Sequence, residues 1–196
     1  MSSRKPGVLG SERRAKLLDA AEQLMLEEGY AAVTTRRVGA KAEISPNLVH
    51  YYWDTMDDLF IEVFRRRAEE RLARLAQRVE THPSLRTVWG VSTYPPAVAF
   101  NIEFNALANH RKAVKAVITE YSDRYRAMQL EAISQAIEAA GLSSDDYPPM
   151  VLWLAMTGIA QVVALLEAHD IKEGVPDALA FIEKLIDSID GEPPAP

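Results

Sequence analysis

The sequence predicts an all-α protein of about nine helices. Three observations carry that expectation. Apolar residues recur at helical spacing through most of the 196 residues, and no stretch alternates with the period of two that a half-buried strand needs. Helix-start signals precede the periodic stretches: Thr34, Ser45 followed by Pro46, and Thr55 with Asp58 three residues on. Glycines that end helices follow them, at Gly29 and Gly141.

Taken in order, Leu17, Leu18, Ala21, Leu24 and Met25 keep the i, i+3, i+4 rhythm of a first helix closed by Gly29. A short second helix runs from Thr34 to Ala42. Ser45 caps a third with Pro46 at its first position, where the missing N–H costs nothing. Thr55 caps a long fourth helix, with Leu59, Phe60, Val63, Phe64, Ala68, Leu72, Leu75 and Val79 on one stripe. His82-Pro83 breaks that run, and one short helix fits between Ser84 and Pro96. Pro96 starts a helix to about Asn109, and His110 to Ala140 forms another. Met150 to Leu166 follows a loop, and Gly174-Val175-Pro176 opens a last helix through Ile189. The tail GEPPAP reads as frayed.

The bulk properties bound the function. No Cys is present, which excludes a disulfide framework and thiolate metal sites and fits a cytoplasmic protein. The first residues carry charge but no apolar signal region. The net charge of −6 is uneven: residues 1–53 balance at +2, residues 81–196 at −7. The uncharged run Met150–Leu166 lies at the lower limit of a membrane span, but Thr157, Gly158 and Gln161 interrupt it and no basic flank frames it. The expectation is a helix buried on all sides, one face covered by a second subunit.

Residues 34–53 hold the main motif: two short helices joined by a tight turn, with one helix before and a long one after. That is a helix-turn-helix, whose second helix enters a major groove. The decapeptide ISPNLVHYYW, 44–53, fits a recognition helix, which must keep one face clear of the core. Ile44, Leu48 and Val49 hold it to the bundle; Asn47, His50 and Tyr51 point outward. Asn pairs with adenine edges, and Tyr hydroxyls reach phosphates or bases. Ser45 and Pro46 open the helix toward a phosphate. Arg36 is the leading candidate on the second helix for a base or phosphate contact, beside Thr34, Thr35 and Arg37. Arg37, Lys41, Arg4, Lys5, Arg13 and Arg14 fit backbone steering. A solvated helix face is the bland alternative for each of these cations.

Residues 17–60, LLDAAEQLMLEEGYAAVTTRRVGAKAEISPNLVHYYWDTMDDLF, resemble the N-terminal DNA-binding region of the TetR-type transcriptional regulators. Gly29-Tyr30, Thr34, Arg36, Ala42, Ile44, Ser45, Tyr52, Trp53 and Leu59 carry the match. Five positions depart from the pattern: Glu43 replaces the turn glycine, His50 a tyrosine, Gly39 the usual alanine, Met56 a phosphate-binding lysine, and Asn47 a common small residue. The resemblance implies that Tyr52 and Thr55 join the DNA contacts. It also implies the organisation: a basic tail over 1–10, the helix-turn-helix domain over 11–54, a helical ligand-binding and dimerisation domain over 55–190, and a tail from 191. The protein would be a homodimer on a pseudo-palindromic operator, more often a repressor than an activator. A small-molecule effector, mostly apolar, would release it by shifting a population, with the long fourth helix as lever.

For the effector, Phe100, Phe104, Asn101 and Asn105 share adjacent faces of one helix, and Trp89, Tyr94, Tyr121, Tyr125, Met128, Trp153 and Met156 could close a space around them. Glu103, His110 and Gln161 could read a polar group. Aromatic residues at helical spacing are core more often than pocket. For the dimer, the expected interface residues are Trp153, Ala160, Ala164, Ile182 and Ile186. No catalytic, metal or cofactor motif is expected: Glu-x-x-His pairs, phosphate loops and nucleophile elbows are all missing, and the four His are scattered. The competing reading is a helical small-molecule-binding or adaptor protein of the same fold without DNA binding.

Overall fold

The computed structural model describes residues 8–191, so the tail residues 1–7 and 192–196, with Arg4 and Lys5, lie outside it. The described residues hold nine α-helices and one 3-10 turn: α1 Val8–Glu28, the turn Tyr30–Ala32, α2 Thr35–Lys41, α3 Asn47–Tyr52, α4 Met56–Thr81, α5 Leu85–Ser92, α6 Pro95–Ala108, α7 Lys112–Ala139, α8 Pro149–Ala168 and α9 Val175–Asp190. The all-α expectation holds among them, with boundaries within a few residues for most helices. α1 begins at Val8, inside the span read as tail.

The caps show why these segments fold where they do. Thr34 Oγ1 accepts from Arg37 N at 3.3 Å. Thr55 and Asp58 form the reciprocal box: Thr55 Oγ1 accepts from Asp58 N at 3.2 Å, and Asp58 Oδ2 accepts from Thr55 N at 3.0 Å. α5 starts on Ser84, whose Oγ accepts from Thr87 N at 3.0 Å. Asp190 of α9 then takes Leu85 N and Arg86 N at 3.0 and 2.7 Å, an anion on otherwise orphaned helix donors.

By contact the chain falls into two units, divided otherwise than at residue 54. The first combines Met1–Glu69 with Ala99–Tyr121; the second combines Glu70–Val98 with Ser122–Pro196. In the first, Leu17, Ala21, Leu24, Val38, Val49, Trp53, Leu59 and Phe60 are buried. Phe64, Phe100, Phe104 and Tyr121 form a ring cluster there, with Phe100 and Phe104 centroids 4.5 Å apart. In the second, α5, α7, α8 and α9 close over Leu85, Val88, Ile133, Ile137, Met156, Ala160, Ile182 and Ile186.

In the single chain α8 is buried along one side only, and the other is the face expected to meet a second subunit. The stripe Leu152, Met156, Ala160, Val163 faces the core. Met150, Val151, Leu154, Val162 and Leu165 are exposed, as is Phe181 on α9 at 64%. By length and composition alone α8 would also suffice to cross a membrane. The expected interface residues divide by burial. Ala160, Ile182 and Ile186 are 3%, 0% and 0% exposed, inside the core of their own unit, and Trp153 and Ala164 are half-buried. A helix that is apolar all round has no polar face to fix its rotation, so composition could not say which stripe turns inward.

Candidate nucleic-acid interface

The α2–α3 pair is set by one close approach. Gly39 lies under the turn: a Cβ there would stand 2.8 Å from the Ile44 carbonyl oxygen and 3.0 Å from Pro46 Cα. Ile44 N donates to Gly39 O at 2.9 Å, closing the turn onto α2. Glu43 takes φ +57°, the left-handed conformation that the missing glycine would adopt more easily. The glycine is therefore displaced to Gly39, where the backbone passes too closely for a side chain.

α3 is anchored by Val49, 1% exposed, with Ile44 and Leu48 half-buried. Its four-ring row divides by direction. His50 and Tyr51 are exposed, Tyr51 at 69%. Tyr52 is half-buried and donates its hydroxyl to the Gly10 carbonyl of α1 at 3.0 Å. Trp53 is 4% exposed and donates Nε1 to Glu62 of α4 at 2.6 Å. The rings pack edge to face, Tyr51 on Tyr52 at 5.1 Å and Tyr52 on Trp53 at 5.6 Å.

Ser45, Pro46 and Asn47 are exposed beside His50 and Tyr51, and Thr34 and Arg36 are exposed on and before α2, with Thr35 half-buried. These residues present hydroxyl, amide, imidazole and guanidinium groups on one segment. Two candidates are already engaged. The Tyr52 hydroxyl meets a carbonyl of α1, and Thr55 Oγ1 donates to Asp58 at 2.7 Å within its cap.

The cations divide as well. Arg37 pairs with Glu28, Lys41 with Glu27 at 2.7 Å, and Arg14 with Glu62, whose carboxylate also holds Trp53. The hydrogen bond from Arg37 holds the Glu28 carboxyl below its ordinary range, and the same bond raises Arg37. Arg36 is exposed and has no ion pair among the described residues. Behind the head, Glu22 of α1 is buried and takes both Arg66, at 2.8 Å, and Arg67 of α4. Burial opposes the charge of Arg66, but the hydrogen bonds it donates to Glu22 and Asp19 overcome it and raise the guanidinium. Glu22 and Glu62 were missed by the sequence reading. Their signal was present: each is a carboxylate set among the apolar positions of its helix, where only a partnered acid is tolerated.

The expected effector residues divide between the two units. Phe100, Phe104 and Tyr121 lie in the ring cluster of the first unit, with the Tyr121 hydroxyl donating to Glu69 at 2.6 Å. Asn101 is half-buried and Asn105 exposed. Trp89, Tyr125, Trp153 and Met156 belong to the second unit. There Trp89 donates to Glu183 at 3.1 Å, Trp153 donates to the buried Gln129 at 3.0 Å, Met156 is in the core, and Arg71 lies over the Tyr125 ring. Glu103, read as a possible ligand group, accepts instead from Tyr30 N.

Comparison with known proteins agrees with this geometry. Residues 17–63 match the family described as bacterial regulatory proteins, tetR family. No protein of curated function matches the sequence significantly. Among solved structures, a TetR transcription regulator from Haloarcula marismortui is similar at a TM-score of 0.72 and 22% identity, over 91% of this chain and 98% of that one. The multidrug binding protein EbrR, complexed with imidazole, gives 0.56 and 20%, over 97% and 98%. The transcriptional regulator FadR from Bacillus subtilis, complexed with stearoyl-CoA, gives 0.60 and 11%, over 89% and 98%. At such identities these likenesses establish a shared fold: the chain has a TetR-like architecture with an N-terminal helix-turn-helix.

Proposed function

We propose that this chain, whose residues 17–63 are of the tetR regulator family, is a ligand-responsive transcriptional regulator that binds operator DNA as a homodimer, most simply as a repressor. The observation that carries the reading is the outward face of α3. Asn47, His50 and Tyr51 stand exposed on a six-residue helix held from behind by Val49 and Trp53. Arg36, Thr34, Ser45 and Pro46 extend that face, and Thr35 and Arg37 border it. Phosphate contacts would position the head and base-edge contacts from α3 would specify sequence. Met56 and the acids paired with Arg37 and Lys41 lower the local positive potential, so affinity should depend on few cations.

The uncovered apolar face of α8 supports dimerisation. Val151, Leu154, Val162 and Leu165 follow helical spacing on it, and Phe181 of α9 adds an exposed ring. A second copy presenting the same face would bury it about a two-fold axis. For the effector, the second unit offers Gln129, buried to 2% exposure, whose Nε2 reaches Ser92 Oγ at 3.5 Å. A mostly apolar molecule with one hydrogen-bonding group suits that surrounding. The regulator would act in the cytoplasm, on chromosomal DNA.

The test is binding to a mixed-sequence duplex over a salt series. The regulator reading expects weak affinity, on the order of 10⁻⁴ to 10⁻⁶ M at physiological salt, rising steeply as salt falls. It also expects Arg36→Ala to reduce the slope. An adaptor of the same fold would give no salt-sensitive binding, and that result would refute the proposal.

A further inference from the structure

The second half of α6 and the start of α7 belong by contact to the same unit as the helix-turn-helix. Two polar ties join them to it. Glu103 Oε2 accepts from Tyr30 N at 2.9 Å, at the first residue of the 3-10 turn that links α1 to α2. Arg111 pairs with Asp57 in the first turn of α4 and lies over the Phe60 ring at 5.4 Å. In sequence, α2 and α3 lie between those two attachment points.

The aim of Glu103 follows from packing. Phe100 and Phe104, one turn apart, are buried against Phe64 and fix the rotation of α6 about its axis. Glu103, three residues after Phe100, is thereby directed at the Gly29-Tyr30 corner. Gly29 has φ +82°, and a Cβ on it would sit 3.5 Å from Glu103 Oε2, in van der Waals contact with the carboxylate. A helix turn whose first N–H is satisfied by a carboxylate from a distant helix is stable only while that helix keeps its place.

We infer that Glu103 is a positioning residue of the DNA-binding head: its carboxylate holds the α1–α2 corner to α6 and through that corner the setting of α2 and α3. This rests on the DNA-binding reading above. It assigns Glu103 to the head and not to the recognition of an effector.

The test uses the full chain with Glu103→Ala and Glu103→Gln, amide hydrogen exchange, and affinity for a mixed-sequence duplex at low salt. Glu103→Ala is expected to speed exchange over residues 30–33 about tenfold, the loss of one charge-assisted hydrogen bond, and to leave residues 130–137 unchanged. It should also weaken duplex binding, about threefold to tenfold, because a loosened head is less often in the competent setting. Glu103→Gln keeps an oxygen acceptor and should restore both within about twofold. Should Glu103→Ala fail to fold, Glu103→Asp is expected to show the same pattern in smaller measure. Unchanged exchange overturns the tie, and faster exchange with unchanged affinity overturns the positioning role. If the wild-type chain binds no duplex, the DNA-binding reading fails, and exchange alone then decides the tie.

Discussion

α3 and α8 both present residues that the single chain does not cover, and the two surfaces are opposite in kind. α3 is six residues long and keeps one fully buried anchor, Val49; its exposed side offers an amide, an imidazole and a phenol. α8 is twenty residues long and buries Leu152, Met156, Ala160 and Val163; its exposed side offers Val151, Leu154, Val162 and Leu165. The first surface can make directional hydrogen bonds and suits a polar, charged partner. The second can only lose water, and it suits a like surface. On the proposed reading, the first surface is for DNA and the second for another copy of the chain.

The largest effect should separate the two stripes of α8. Ala160→Asp buries a charge in the core and is expected to destabilise by about 3 kcal/mol or more, leaving little folded protein. Leu154→Asp places the same charge on the exposed face and should give a folded monomer by light scattering, with thermal unfolding measured alongside. A folded monomer from Ala160→Asp, or a persistent dimer from Leu154→Asp, would break the contrast.

Next comes the α2–α3 corner. Gly39→Ala puts a Cβ against the Ile44 carbonyl, so the turn must shift. We expect a loss of about 1–3 kcal/mol by denaturant titration and a loss of duplex binding, although Ala is the better helix former. Greater stability would mean that α3 sits elsewhere.

Within α3 the neighbouring tyrosines sharpen the comparison further. Tyr51→Ala should leave the melting temperature within about 2 °C and lower duplex affinity by about fivefold or more. Tyr52→Phe removes the bond to Gly10 and should cost about 1 kcal/mol of stability with less than about twofold change in affinity. The smallest effect is expected from Glu28→Gln, which frees Arg37 for phosphate and should steepen the salt slope by up to about one unit. Lowering pH should act likewise. The pair's support is present above the carboxylate's unfolded value and is lost as pH falls through the lowered folded one.

Much of this was legible beforehand for a physical reason. Helix boundaries and the outward side of α3 are written locally, in caps such as Thr55 with Asp58 and in the apolar positions Val49 and Trp53 between polar ones. The rotation of α8 was not, because a helix apolar on every side carries no phase. Gly39 shows in the sequence only as a departure from the usual alanine, when its reason is a backbone passing within 2.8 Å of where a Cβ would sit. Nor were the roles of Glu103, Glu62 and Glu22 legible, since each depends on a partner 9 to 73 positions away. The division of the expected effector residues between the two units was not legible either: aromatic spacing on one helix says which side is inward but not which unit it belongs to.

The most direct test of the central claim is a hydrogen-exchange footprint of the chain with and without excess mixed-sequence duplex at low salt. Protection concentrated on residues 34–52, with the exposed stripe of α8 unaffected, is the predicted result. Exchange over 34–52 that does not change while the duplex binds elsewhere on the chain would contradict it.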